Sequence, residues 1–297
     1  MTRCGPVVLL VVCLFAWPVY SEEDAATHFN NVRIKAENGD AESQAHLGFF
    51  YEEGKGVAKD CAKAAEWYRK AAEQGLATAQ GLLGAAYAEG RGVPKDMTEA
   101  AKWYTKAAEQ GEPLAQIRIA FCYYRGEGVA KNYKQAASWF EKAAEQGNSK
   151  AQCTIAQCYM IGAGVPKDLT KAAEWNRKAA EQGYAPGQNN LGSYYYYGTG
   201  VAKDLKLAAE WYTKAAEQGD PNAQTALGDC FANGEGVPKD LVAAYKWLTL
   251  AAAQGNRQAA EGRDMAEQQM TPEQVVEAKR LSAAFVPKPQ EAKATRR

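Results

Sequence analysis

The sequence has no surplus of charge: 35 lysines and arginines meet 35 aspartates and glutamates across 297 residues. That argues against recognition of nucleic acid or of an anionic membrane through a strong field. Histidine is nearly missing, with only His28 and His46, so the usual ligand spacings of a metal centre are not available. No serine has a lysine three residues on, and His-Glu-x-x-His does not occur. The pairings that arm a serine nucleophile or hold a catalytic zinc are therefore absent, and no enzyme activity, catalytic residue, metal or cofactor is expected. Long apolar runs are missing too. The longest, PVVLLVVCLFAWPV, has 14 residues, where a membrane span needs about 20.

That run lies between Arg3 and the acidic EED that follows Ser21. A short basic start, an apolar centre and a small-residue exit read as a signal peptide over 1–21, cut after Ser21. Val11 and Val12 precede Cys13, unlike the small residue expected before a lipid-modified cysteine. The expected product is an exported soluble protein, periplasmic or secreted, with no membrane span after cleavage, and monomeric. Cleavage leaves Cys61, Cys122, Cys153, Cys158 and Cys230. An odd number cannot all pair internally, and most or all are expected to be unpaired and shielded.

What the sequence has in abundance is repetition. Trp67, Trp103, Trp139, Trp175, Trp211 and Trp247 stand 36 residues apart. Six copies of one unit run without insertion over 40–255, so LGFFYEEGKGVAKD in the first aligns with LGSYYYYGTGVAKD in the fifth. In the second copy Ala79, Leu83, Ala86, Tyr87 and Gly90 follow helical spacing, and Ala100, Trp103, Ala107 and Ala108 form a second apolar face. Gly90 and Gly92 end the first helix, and Asp96 is placed to cap the next. Each copy thus predicts two antiparallel helices of about 13 residues. Alone they are too short to be stable in water, so neighbouring copies must supply the stability. Cys122, Cys158 and Cys230 share one repeat position with Phe50, Ala86 and Tyr194, which reads as packing. Residues 22–39 and 256–286 read as capping helices, and 287–297, with two prolines flanking a lysine, as a disordered tail.

The 36-residue unit, LG..Y..G.GV.KD...AA.WY.KAAEQG, resembles the Sel1-like repeat, a relative of the tetratricopeptide repeat. The resemblance implies an all-α fold, a right-handed α-solenoid of antiparallel helix pairs whose first helices line the concave side. It also implies a general interaction scaffold, binding a protein or peptide partner. A structural component of the cell envelope is the alternative. A cysteine-rich secreted branch of the family has been associated with binding and hydrolysis of β-lactams, but its cysteine pair does not recur in each unit here.

Comparison of the six copies separates scaffold from variation. Gln44, Gln80, Gln116, Gln152, Gln188 and Gln224 never change. The strongly variable positions of the first helix fall at i, i+3 and i+7, one stripe per copy. They are His46, Phe49 and Glu53; Leu82, Ala85 and Glu89; Arg118, Phe121 and Arg125; Thr154, Gln157 and Ile161; Asn190, Ser193 and Tyr197; Ala226, Asp229 and Asn233. Mixed aromatic, charged and amide groups in such stripes suit an extended peptide or a protein surface. Among the four consecutive tyrosines, Tyr195 is read as core, Tyr194 as semi-buried, Tyr196 as packed at a helix seam and Tyr197 as reaching the binding face. Arg69, Lys106 and Lys142, on the second helices, are expected to lie outside it.

Overall fold

Thirteen residues make each of the two helices in every copy, and the same devices start and stop them throughout. In the computed structural model, which describes residues 22–289 with side chains from Thr27 onward, fifteen α-helices and no strand are found among the described residues. They are α1 (Glu22–Glu37), α2 (Ala41–Glu53), α3 (Cys61–Glu73), α4 (Ala77–Glu89), α5 (Met97–Glu109), α6 (Pro113–Arg125), α7 (Tyr133–Glu145) and α8 (Ser149–Ile161), followed by α9 (Leu169–Glu181), α10 (Ala185–Tyr197), α11 (Leu205–Glu217), α12 (Pro221–Asn233), α13 (Leu241–Ala253), α14 (Arg257–Glu267) and α15 (Pro272–Ala283). The signal-peptide reading lies outside the described residues. The chain divides into two compact units, Met1–Lys142 and Ala143–Arg297. In the first, α1 to α6 pack consecutively; in the second, α8 to α14 do, with α15 on α13.

The turns follow from their residues. Asp96 accepts from the backbone N–H groups of Thr98 (2.8 Å) and Glu99 (3.1 Å), as expected of a cap on α5. Gly90 ends α4 in the left-handed region, at φ 73°, where a side chain would clash with its own backbone. The chain then returns so that Asp96 N–H donates to Tyr87 O (2.9 Å).

The core repeats as well. Leu47, Leu83, Ile119, Ile155, Leu191 and Leu227 occupy one position and are all fully buried. Truncating any of them to alanine leaves a cavity worth about 2–5 kcal/mol. Facing them, the second helices present alanines that allow close approach, such as Ala64, Ala65, Ala71 and Ala72 on α3. Tyr68, Tyr104, Phe140, Asn176, Tyr212 and Leu248 share a further buried position that the apolar pattern of α5 left out. Its size is matched across the helix pair. A Cβ on Gly48 would lie 2.7 Å from the Tyr68 ring, so glycine faces tyrosine, whereas Ala120 and Ala156 stand in the copies carrying Phe140 and Asn176.

The unchanging glutamine is a bracket between copies. Gln80, nearly fully buried, donates from Nε2 to Ala72 O (3.1 Å) and accepts from Gln110 Nε2 (2.8 Å). Gln188 does the same with Ala180 O (3.3 Å) and Gln218 (2.8 Å) in the second unit. The amide both donates and accepts in a fixed plane, and it adds a second donor to a helix-end carbonyl that already accepts from a backbone N–H.

Cys122, Cys158 and Cys230 are buried and free, and Cys153 is half-buried and free. Cys61 is disulfide-bonded, so four of these five cysteines are unpaired, which the expectation of most or all allows. Burial pushes the free thiols up, to about 11 at Cys122 and Cys158 and about 12 at Cys153 and Cys230. At pH 8 the reactive thiolate is then about a thousandth of each or less. Alkylation of the folded protein is expected to be negligible at these four sites, and denaturant should release all four. Rapid labelling of any of them in the native protein would overturn this.

Candidate functional site

The stripes on the first helices are graded. Their first and second members are mostly half-buried, because they flank the invariant core leucine or isoleucine; Gln157 is exposed. Their third members sit at the last turn and open to solvent. Glu89, Arg125, Ile161, Tyr197 and Asn233 are exposed, and Glu53 is half-buried.

In the first unit, His46 lines a cavity of about 830 Å³ with His28, Lys35 and Glu42, so both histidines of the chain meet at its first helix pair. Burial holds His46 below the ordinary imidazole range, and the neighbouring His28 adds to the effect. Phe49 carries Lys55 over its ring at 4.8 Å. Leu82 and Ala85 pack against the core. Phe121 meets Phe140 edge-on, with centroids 4.9 Å apart, which makes it partly a core residue. Arg125 lies over Phe121 at 5.4 Å and 3.8 Å from Glu127. Arg118 is half-buried near Arg91, whose charge it opposes, and near the Tyr104 hydroxyl.

In the second unit, Thr154 donates back to Lys150 O (2.8 Å), and Asn190 donates to the buried Asn176 (3.2 Å). Ser193 hydrogen-bonds the Tyr212 hydroxyl. Asp229 is half-buried, and burial together with Glu235 raises its carboxyl above the usual range. Ala226 packs against the core.

The four tyrosines separate cleanly. Tyr194 is more buried than expected, at 7% exposure, with its hydroxyl 3.5 Å from Met160 Sδ. Tyr195 is only half-buried, not core, because its phenol tip needs a partner and finds Arg177, which donates at 3.2 Å. Tyr196 lies at the seam, donating to Glu235 of the next copy at 2.6 Å. Tyr197 stands 71% exposed, edge-on to Tyr196.

Two features escaped the sequence reading. The first is a buried ion pair. Glu52, 3% exposed, accepts from the Tyr68 hydroxyl (2.7 Å) and pairs with Arg91 of the following copy. It joins the same two repeat positions as Tyr196 and Glu235, and a separation of 39 residues was its only trace. The second is a ladder on the second helices. Lys70, Lys106, Lys142, Lys178 and Lys214 each cover the indole three residues before, at 3.8–4.2 Å. Lys106 and Lys142 are thus outside the stripe, as expected, but they are structural. Arg69 is structural as well, donating to Tyr87 at 2.7 Å. Among the described residues no group of three or more potential metal ligands converges and no helix is long and apolar enough to cross a membrane.

Comparison with known proteins agrees with this geometry. No curated protein matches the chain. Among solved structures, a Sel1 repeat protein from Oxalobacter formigenes is 32% identical, covering 78% of this chain and 98% of its own, with a TM-score of 0.70. The protein c5321, described as a protective antigen of uropathogenic Escherichia coli with an SLR fold, is also 32% identical. It covers 90% of this chain and 73% of its own, with a TM-score of 0.54. The Sel1 repeat model matches six times in succession, at 41–76, 77–112, 113–148, 149–184, 185–220 and 221–256. With its helix pairs, glycine turns and glutamine brackets recurring in that same register, the chain belongs to the Sel1 repeat family.

Proposed function

We propose that the protein is an exported scaffold that holds an extended segment of a protein partner against the first-helix face of its repeats. The observation that carries this is the placement of Ile161 and Tyr197. Seven large hydrophobic residues are exposed among the described residues, and these two occupy the same stripe position in neighbouring copies, at 53% and 71% exposure. Of the other five only Tyr133 lies within the repeats, at the start of a second helix and edge-on to Tyr124. An exposed tyrosine and an exposed isoleucine in neighbouring copies, with the amides of Gln157 in the isoleucine's own stripe and Asn233 in the stripe after the tyrosine's, offer apolar contact together with hydrogen bonding to a peptide backbone. Tyrosine and arginine are frequent anchors of interfaces, each worth about 2 kcal/mol or more when central. Export is read from residues 1–21 and is tested by the N-terminus of the mature protein.

Photo-cross-linking from positions 125 and 197 in the native host identifies the partner. Replacing Arg118 and Arg125 of the first unit, or Ile161 and Tyr197 of the second, with alanine is expected to weaken capture of that partner at least about tenfold, with helicity and melting point nearly unchanged. Phe121 is left in place because it supports Phe140. Alanine at the exposed second-helix residues Lys134, Glu174 and Lys206 should change neither. Capture that survives the first-helix variants, or that fails equally with the second-helix set, would refute the binding face.

A further inference from the structure

The sixth copy breaks the lysine–tryptophan ladder, and the break is filled by the chain's own end. Where copies one to five place lysine three residues after the tryptophan, copy six has Leu250. Where they place Glu66, Lys102, Ser138, Glu174 or Glu210 just before it, copy six has Lys246. The indole face so exposed meets Phe285 edge-on, with centroids 5.4 Å apart, and Leu250 packs in the same cluster. Lys246 lies over both rings, at 4.4 and 5.6 Å.

The three residues after Phe285 continue onto the end of α11. Val286 points to solvent, 78% exposed. Pro287 runs over Gly219, where an added Cβ would stand 3.5 Å from the proline ring. Lys288 then makes two bonds to one residue: its N–H donates to Glu217 O (2.8 Å) and its Nζ to Glu217 Oε2 (2.9 Å). A carbonyl at a helix C-terminus lacks an internal donor, and a cation is favoured there. Pro287 and Lys288, expected as the start of a disordered tail, are therefore held by defined contacts. Residues 290–297 lie outside the described residues.

We propose that this surface of the second unit is a peptide-binding site distinct from the first-helix face. Trp247, Leu250 and Lys246 form its aromatic pocket, and Glu217 and Gly219 form its anchor. It is specific for an aromatic–x–Pro–Lys segment, and its occupant is the chain's own Phe285–Lys288. Each contact reads one feature of that segment: an edge-on ring, a free second side chain, a residue without bulk over glycine, and a cation with a backbone donor. Copy six departs from all its siblings at the position of Leu250, where each of them sets a lysine over the indole. Because the occupant is tethered, it sits at an effective concentration of about millimolar, so a competing segment binds weakly until the strap is disabled.

The test uses the full chain and a fluorescent synthetic peptide, AFVPKPQ, followed by polarisation. Wild type is expected to bind it weakly. The strap variant Phe285→Ala with Lys288→Ala should bind it at least about tenfold more tightly, as release of the tethered competitor requires. Adding Leu250→Lys or Glu217→Gln to that variant should reverse the gain, and neither position lies in the buried core. A peptide with alanine for its phenylalanine should not bind. Equal binding by wild type and strap variant, no binding by either, or a gain indifferent to Leu250→Lys would each overturn the proposal. A strap that only stabilises the fold would lower the melting point of the variant without creating a peptide site, and that result also overturns it.

Discussion

Gly92→Ala is expected to destabilise the first unit by about 4 kcal/mol, while Gly75→Ala, in the same unit, costs only about 1. Both glycines have positive φ, 72° and 94°, so both substitutions carry the left-handed penalty of roughly 1–2 kcal/mol. They differ in what the new methyl meets. At Gly75 nothing lies within 4 Å. At Gly92 the Cβ would fall 1.8 Å from the carbonyl oxygen of Cys61, at the start of α3. That is backbone, fixed by the helix it begins, and it cannot swing aside as a side chain does. The turn of the second copy must then lift off the first, which adds an overpacking cost of about 1–3 kcal/mol. Urea denaturation of the two variants measures the difference. Equal midpoints would show that the turn does not seat on α3.

Arg91→Leu is expected to cost about 3–5 kcal/mol, because it strands Glu52 in a nearly dry site with only the Tyr68 hydroxyl as partner. Removing both charges should cost less than removing one. The remaining loss is the Tyr68 hydroxyl, whose buried oxygen then lacks an acceptor, at about 1–3 kcal/mol. Tyr68→Phe removes that too, and phenylalanine already stands at the equivalent Phe140. The triple variant Glu52→Leu, Tyr68→Phe, Arg91→Leu should therefore be more stable than Arg91→Leu alone. A thermodynamic cycle over the three sites checks the ranking. If the single variant is the more stable, the pair is not a closed unit.

The local, repeating parts of this architecture were legible in the sequence, and the contacts made between side chains were not, even where they repeat. Helix lengths, the Asp96 cap, the Gly90 stop and the packing role of the Cys122 position followed from six aligned copies, because each is a local choice made six times over. The unchanging Gln80 was visible, but its bracket role was not, since an amide buried between copies looks like any polar residue until its two partners are placed. Tyr195 misled for the opposite reason: its repeat position is packed, yet a phenol needs an outlet for its hydroxyl, and Arg177 provides it. The variable stripes could be placed on one face of the helix from their spacing alone. Which members are spent on packing, as Phe121 is on Phe140, depended on neighbours 19 residues away, a distance no helical period encodes.

The clasp between successive copies also sets an order of assembly. Any 36-residue module could in principle follow any other, since turns and glutamine brackets are the same in all. The clasp positions are not the same. Glu52 asks for a cation from its successor and receives Arg91, and Tyr196 asks for an acceptor and receives Glu235. Excising 77–112 would keep every generic contact, yet deliver Glu127 to Glu52, carboxylate against carboxylate. At the two joins that carry them, these few side chains act as addresses, so a module cannot be removed after the first copy without a mismatch there.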